Sequence, residues 1–192
     1  KCNQLREIEK VIREKPDFYD PIQVRDFFIN DTKLSDPKPL ILLCDIHGYV
    51  EELIKYLCKN NFTNYIQIYL FKVNLNSAPI VMGTLMDLEY EESYIKTLLF
   101  NLRANCPMEG LIEEFEKRNK LIVMESWLEA RMAEGNQLPA LHNALAKLKI
   151  DTNQNPQDFL INNQYYDSKV VGKYCEERDP HLAYTAYKKA WG

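Results

Sequence analysis

The sequence predicts an all-α protein, built as an α-solenoid of stacked, short, antiparallel helical hairpins. Apolar residues recur at helical spacing along most of the 192 residues, and a polar capping residue close to a proline repeatedly marks where a helix could begin. Short links between consecutive helices favour antiparallel hairpins, and stacked hairpins bury their apolar faces on one another. A globular helical bundle has the same periodicity and is the alternative, because no sequence-identical repeat is visible.

Capping signals predict where individual helices begin. The side chain of Asp, Asn or Ser accepts hydrogen bonds from unpaired amides of the first turn, and a proline there removes an amide that would lack a partner. Asp167 is predicted to cap in the same way without a proline. The proline-containing signals are Asp20-Pro21, Asp36-Pro37, Ser77-Ala78-Pro79, Asn155-Pro156 and Asp179-Pro180.

Between these starts, apolar residues three and four positions apart form one face of each predicted helix. The segment YIQIYLFKV, residues 65–73, also alternates in the manner of a strand and is rich in β-forming residues. Because no partner strand flanks it, we predict a helix there, with Thr63 at a capping position. Other faces are Val24, Phe27 and Phe28; Val50, Leu53, Ile54 and Leu57; Leu98, Leu99 and Leu102; Leu111, Ile112 and Phe115; and Leu141, Leu145 and Leu148.

The last two predicted helices carry matching apolar stripes, each preceded by an aspartate. This match indicates two stacked helices, with Gly172 on the packed face. Trp127 is predicted to pack between hairpins, although aromatic residues lining a peptide-binding groove are the alternative. The stripes are Val170, Val171, Tyr174 and Cys175, and Leu182, Ala183, Ala186 and Tyr187. The predicted capping and packing positions are Asp20, Asp36, Trp127, Asp167, Val170, Val171, Gly172, Tyr174, Asp179, Leu182 and Tyr187.

Composition argues against several classes of function. A formal net charge of −4 offers no basic face for nucleic acid. No apolar run approaches the roughly 20 residues that a membrane-spanning helix needs. Only six glycines occur and none are clustered, so the glycine-rich loops that bind phosphates are missing. We therefore predict neither nucleic-acid binding, nor direct membrane insertion, nor a nucleotide cofactor.

The cysteines and histidines predict no metal site and no disulfide framework. The five cysteines are odd in number and never form a Cys-x-x-Cys pair, and His47, His142 and His181 lie far apart in sequence. This pattern favours a reducing, cytoplasmic setting in which most thiols act as small core residues. The cysteines are Cys2, Cys44, Cys58, Cys106 and Cys175.

One pair of residues raises the hypothesis of an oxidoreductase. Tyr165 and Lys169 have the Tyr-x-x-x-Lys spacing of short-chain dehydrogenases, in which the lysine lowers the pKa of a tyrosine one turn away. Here Asp167 is predicted to cap the helix, which places Tyr165 before it and removes that geometry. The dinucleotide fingerprint and the alternating β-α-β pattern are absent as well. We therefore predict that the chain is not an enzyme.

Long composite strings are more specific than any of these patterns. Four of them closely resemble the clathrin heavy chain family, and the similarity extends in register from about Tyr19 to Tyr187. Where the family has an apolar residue and Pro before Trp, this chain has Met124, Glu125 and Ser126 before Trp127. The strings are KYLCKNNFTNYIQIYLFKVN, NLRANCPMEGLIEEFEKRNKL, WLEARMAEGNQLPALHNALAKLKIDTNQNPQDFL and YYDSKVVGKYCEERDPHLA.

The resemblance implies a leg segment made of clathrin heavy chain repeats. Its implied role is assembly of the polyhedral coat on vesicles in endocytosis and intracellular transport, at the cytoplasmic face of coated pits and vesicles. Implied partners are other heavy chain legs of a trimeric parent and regulators that uncoat vesicles, with the membrane reached only through adaptors. A peptide- or adaptor-binding scaffold, such as a vesicle-tethering protein with related repeats, is the alternative.

The resemblance also sets an expectation for domain organisation. A clathrin heavy chain repeat comprises roughly ten short helices. We expect residues 1–192 to be a fragment of a longer α-solenoid leg, since the sequence begins on Lys1 and ends on Trp191-Gly192. The resemblance implies that this fragment spans parts of two such repeats.

Overall fold

The computed structural model describes residues 2–191, with side chains from Asn3 onward. This part of the chain contains thirteen α-helices and no strand, which confirms the all-α prediction. None of these helices has both the length and the apolar composition needed to cross a membrane. The chain divides into two compact units, the first ending at Tyr90 and the second beginning at Glu91.

The first unit consists of short helices joined by turns. Two of its α-helices, α2 and α5, continue into π-helical turns at Phe27–Asp31 and Tyr69–Val73, and a 3₁₀ turn covers Leu75–Ser77. The α-helices are α1 (Cys2–Glu14), α2 (Pro21–Asp26), α3 (Lys38–His47), α4 (Val50–Lys59), α5 (Thr63–Ile68) and α6 (Ala78–Asp87).

Helix α4 lies at the centre of the first unit, packed against α3, α5 and α6. Its residues Leu53, Ile54 and Leu57 are completely buried. The segment 65–73 is helical, as predicted, but its second half is a π-helical turn rather than α-helix. This turn buries Tyr69, whose hydroxyl donates to the half-buried Asp45 carboxylate at 2.8 Å.

The second unit is organised around its longest helix, α10. That helix packs against α8, α9, α11 and α12, and the last two helices, α12 and α13, pack against each other along their length. The α-helices are α7 (Glu92–Asn101), α8 (Met108–Lys117), α9 (Glu125–Ala133), α10 (Pro139–Thr152), α11 (Pro156–Asn162), α12 (Ser168–Glu176) and α13 (Pro180–Lys188), with 3₁₀ turns at Leu121–Met124 and Lys189–Trp191.

Three aspartates cap helices through their side chains. Asp20, Asp167 and Asp179 each accept hydrogen bonds from the two amides that follow at i+2 and i+3. Asp36 differs from its prediction, because α3 begins at Lys38 and its N-cap is Pro37. The Asp36 carboxylate still accepts from the Lys38 amide at 3.0 Å. Lys38 is the first residue of α3, however, whereas the side chain of an N-cap residue bonds to the amide of the second or third.

The two non-aspartate signals do not cap through their side chains. Ser77 donates its hydroxyl backwards to the Asn74 carbonyl at 2.6 Å, so the oxygen is turned away from the following helix. Asn155 adopts the left-handed conformation with a φ of 48°, in which its side chain makes no capping bond. Proline therefore marks these helix starts correctly, but the capping chemistry differs.

Candidate functional site

The packed surfaces of the last hairpin bring several of the predicted positions together. Only two residues separate the end of α12 from the N-cap Asp179 of α13, so the helices run antiparallel. Their contact surfaces belong to one buried cluster, which also takes in residues of the preceding helices. Its members are Ala146, Leu160, Tyr166, Val171, Cys175, Leu182, Ala183 and Ala186.

Val170 is an incorrect prediction, because it does not belong to the packed stripe. Its side chain is 42% exposed, whereas its neighbour Val171 is completely buried. Successive helical residues differ in direction by about 100°, so only one of two adjacent valines can face the neighbouring helix fully. The stripe of α12 is therefore carried by Val171, Gly172 and Cys175.

Gly172 is the point of closest approach between α12 and α13. A Cβ atom at this position would lie 2.5 Å from Cε1 and 2.6 Å from Cζ of Tyr187, well inside normal contact distance. The tyrosine ring thus occupies the space that any other side chain would need. Its hydroxyl donates to the Glu176 carboxylate at 2.6 Å, one turn further along α12. Gly172, Tyr187 and Glu176 form one interlocked contact.

A second polar contact joins α12 to α10. The Tyr174 hydroxyl donates to Asp151 Oδ2 at 2.6 Å, and the Arg178 guanidinium lies over the tyrosine ring, 3.7 Å from its centroid. Arg178 Nε also approaches Asp151 Oδ1 at 3.4 Å. Burial of the phenol and its hydrogen bond to Asp151 raise the pKa of Tyr174 from 10.0 to about 12. The contact therefore requires a neutral phenol.

Trp127 connects α9 to the end of α7. Its indole Nε1 donates to the Leu102 carbonyl at 2.9 Å, and the Arg131 guanidinium donates to the same oxygen at 2.9 Å. Both donors belong to side chains that are more than nine-tenths buried. A buried indole N–H needs an acceptor, and here a helix-terminal carbonyl without an intrahelical partner supplies it.

The Tyr165–Lys169 pair does not have the geometry of a dehydrogenase. Tyr165 lies two residues before the N-cap of α12, whereas Lys169 is inside the helix and its amide donates to Asp167. The Tyr165 hydroxyl instead accepts from Gln137 Nε2 at 3.3 Å, and its ring packs on His142 with centroids 5.0 Å apart. This tyrosine belongs to the contact between two loops.

His142 is a buried hydrogen-bonded residue. Its Nε2 donates to the Asn136 carbonyl at 2.7 Å, and Nδ1 accepts from the Asn163 side-chain amide at 2.8 Å. This arrangement gives both ring nitrogens a hydrogen-bond partner. No group of three His, Cys, Asp or Glu residues that could hold a metal ion occurs within residues 2–191.

The thiols pack as core residues rather than as nucleophiles. Cys44 and Cys175 are completely buried, Cys106 is nearly so, and Cys58 is half-buried. Burial raises the pKa of the Cys44 thiol to about 12 and that of Cys175 to about 11, so the reactive thiolate is disfavoured at neutral pH. The side chain of Cys2 lies outside the described residues.

Several partners of these residues carried no local sequence signal. Asp151 lies 23 residues before Tyr174, and the Leu102 carbonyl lies 25 residues before Trp127. Glu176 lies 11 residues before Tyr187, a separation set by the hairpin turn. Of these contacts, only the one between Glu176 and Tyr187 can be predicted from the sequence, and only if the hairpin and its register are assumed.

The fold and these interlocked helices define an all-α repeat protein of the α-solenoid class. Residues 99–190 match the family model described as "Region in Clathrin and VPS". The chain is 50% identical over 189 residues to the clathrin heavy chain of Dictyostelium discoideum, 47% to that of Drosophila melanogaster and 46% to clathrin heavy chain 2 of Homo sapiens, each covering 98% of this chain. The chain belongs to the clathrin heavy chain family, which confirms the resemblance.

The chain spans about 11% of the length of these curated relatives.

Proposed function

We propose that the chain is a structural segment of a clathrin heavy chain leg, contributing to self-assembly of the polyhedral coat on vesicles in endocytosis and intracellular protein transport. The observation that carries this proposal is the 50% identity over 98% of the chain to a clathrin heavy chain. Its partners are other heavy chain legs of a trimeric parent and regulators of uncoating, and it reaches the membrane only through adaptors. Its location is the cytoplasmic face of coated pits and vesicles.

The packing described above fits a mechanical role. In a repeat protein each hairpin contacts its neighbours only, so stiffness depends on how firmly successive hairpins interlock. The contact of Gly172 with Tyr187, the Tyr174–Asp151 hydrogen bond and the Trp127–Leu102 hydrogen bond each fix one helix against another. These contacts support a mechanical, non-enzymatic role for the segment. The placement of Tyr165 and the raised thiol pKa values support the same proposal.

We further propose that residues 1–192 span parts of two clathrin heavy chain repeats. Two observations support this division. The backbone contacts separate into units at Tyr90 and Glu91, and the family match begins only eight residues further on, at Leu99.

A segment exchange tests the coat function. The segment of the Dictyostelium heavy chain that matches this chain is replaced by the matching 189 residues of this chain, and the purified chimera is placed under cage-forming conditions. We expect closed cages by electron microscopy and sedimentation, as for the parent. The matched control carries Gly172→Leu, which should disturb the last hairpin and reduce cage yield. A chimera that is helical and trimeric yet forms no cages would contradict the proposal.

A further inference from the structure

The carboxylate of Asp45 joins the two ends of the π-helical turn at Tyr69–Val73. Its Oδ1 atom accepts one hydrogen bond from the Tyr69 hydroxyl at 2.8 Å and another from the Asn74 side-chain amide at 2.9 Å. Tyr69 is the first residue of the turn, and Asn74 directly follows its last residue. One oxygen on α3 is therefore bound by both ends of a turn whose donors lie 24 and 29 residues further along the chain.

The two donors are five residues apart, a spacing that distinguishes a π-helical turn from an α-helix. In an α-helix each residue turns by about 100°, so the side chains of residues i and i+5 point about 140° apart and cannot reach the same atom. A π-helical turn bonds an amide to the carbonyl five residues earlier, which brings i and i+5 to the same side. The Asn74 amide makes this bond, donating to the Tyr69 carbonyl at 2.9 Å. The two Asp45 contacts therefore fit the π-helical register and not the α-helical one.

The surroundings make both hydrogen bonds to Asp45 important. Tyr69 is completely buried, so its hydroxyl would be a buried donor without an acceptor if the Asp45 bond were lost. Burial and the bond to Asp45 raise the pKa of Tyr69, which keeps the hydroxyl protonated as a donor. Asn74 is held on its other side, because its Oδ1 accepts from the Asn76 amide at 3.1 Å and its carbonyl accepts from the Ser77 hydroxyl at 2.6 Å.

The register of this turn determines where the next helix starts. Residues 74–77 alone connect the turn to α6, which begins at Ala78 and packs against α4. In the α-helical register the Asn74 amide would donate to the Leu70 carbonyl, and the chain that follows would be rotated by about 100° around the helix axis. The surplus residue of the π-helical turn would then pass into this short connection.

We propose that Asp45 selects the π-helical register of residues 69–73 by binding both ends of the turn, and that it thereby positions the start of α6. Without this carboxylate the segment continues as α-helix, because α-helical bonding is otherwise preferred to π-helical bonding. The inference goes beyond the coat function, since it assigns to one side chain the choice between two backbone conformations of the first unit.

Scalar couplings across hydrogen bonds, measured by NMR, test the proposal on the whole 192-residue chain. These couplings identify the carbonyl to which each amide donates, so they distinguish the two registers. In the deuterated, isotope-labelled wild type, the Asn74 amide should couple to the Tyr69 carbonyl carbon. In Asp45→Ala the same amide should couple to the Leu70 carbonyl carbon instead.

The other π-helical turn, at Phe27–Asp31, is an internal reference for this measurement. The residue that follows it, Thr32, donates its hydroxyl to the Phe28 carbonyl at 3.1 Å, a local bond that does not involve α3. The couplings within this turn should therefore be the same in the wild type and in Asp45→Ala.

Two further variants separate the choice of register from a general loss of stability. Asp36→Ala removes another carboxylate near the start of α3, where it accepts from the Lys38 amide, and should leave the Asn74 coupling unchanged. The double variant Tyr69→Phe/Asn74→Ser removes both donors while Asp45 stays in place, and a serine hydroxyl can still accept from the amide two residues on. This double variant should change the coupling of residue 74 in the same way as Asp45→Ala.

Each contrary result has a defined meaning. If the amide of residue 74 remains coupled to the carbonyl of residue 69 in Asp45→Ala and in the double variant, apolar packing alone fixes the register and the proposal fails. If Asp36→Ala changes the coupling as well, the change reflects a general loss of stability and the proposal fails equally. If Asp45→Ala does not fold, the double variant decides the question. The cage assay does not depend on any of these outcomes.

Discussion

The contact between Gly172 and Tyr187 predicts how Gly172→Ala changes the stability of the chain. The sign of that change depends on whether the Tyr187 ring is present. In an exposed helix interior, replacing glycine by alanine stabilises a protein by about 1 kcal/mol, because the backbone loses less freedom on folding. At Gly172 the new Cβ would lie 2.5 Å from the Tyr187 ring. The ring must therefore move, and it then leaves the position from which its hydroxyl donates to Glu176.

The magnitude follows from these opposing effects. Overpacking of this kind costs typically ~1–3 kcal/mol, which exceeds or matches the gain from helix propensity. We expect Gly172→Ala to destabilise the chain by about 1 kcal/mol, equivalent to about 2–4 °C in Tm for a chain of this size. Gly172→Leu should destabilise it more. In a Tyr187→Ala background the obstacle is absent, so Gly172→Ala should stabilise by about 1 kcal/mol.

Urea unfolding followed by circular dichroism at 222 nm measures all four members of this double-mutant cycle. The expected coupling free energy between the two positions is about 2 kcal/mol, with a reversal of sign for Gly172→Ala between the two backgrounds. Equal stabilisation by Gly172→Ala in both backgrounds would show that the tyrosine ring does not pack on this glycine in solution. The assignment of the α12–α13 contact would then be wrong.

Two further predictions concern the caps and the buried phenol. Asp179→Ala and Asp167→Ala should each lower the free energy of unfolding by about 1 kcal/mol in urea titrations, because two first-turn amides lose their acceptor. Asp17→Ala, at an exposed carboxylate, is the control, and an equal loss there would contradict the capping role. The raised pKa of Tyr174 stabilises the fold fully below pH 10, and this stabilisation should be lost as pH rises through about 12. Tyr174→Phe has no hydroxyl to ionise, so its free energy of unfolding should not show this loss. If the wild type and the variant lose stability in parallel between pH 10 and 12, the raised pKa is not the cause.

Local signals in the sequence predicted local structure well. The aspartates at 20, 167 and 179 occupy helix N-termini because their short side chains reach back to nearby amides, a property that depends on few neighbouring residues. The predictions for Ser77 and Asn155 were less accurate, since their side-chain conformations depend on the preceding turn. Residue spacing also could not distinguish an α-helix from the π-helical turn at Tyr69–Val73, because burial of Tyr69 beside Asp45 depends on tertiary packing.

Helical periodicity predicts which residues share a face, but not which way that face is turned. The choice between Val170 and Val171 depends on the orientation of α12 against α13, and the sequence stripe was compatible with both. The same limit applies to Phe100. It follows the buried Leu98 and Leu99 in the same helix, yet it is 85% exposed, and this orientation depends on how α7 packs within the second unit.

The Leu102 carbonyl has a mechanical consequence for the second unit. Trp127 and Arg131 both donate to this one oxygen, across 25 and 29 residues of intervening chain. A pulling force that slides α7 past α9 would load these two hydrogen bonds side by side, so both must break together before the helices separate. Hydrogen bonds loaded together in this way resist force better than hydrogen bonds that break one after another. While they hold, the intervening chain, which includes α8, would carry less of the force.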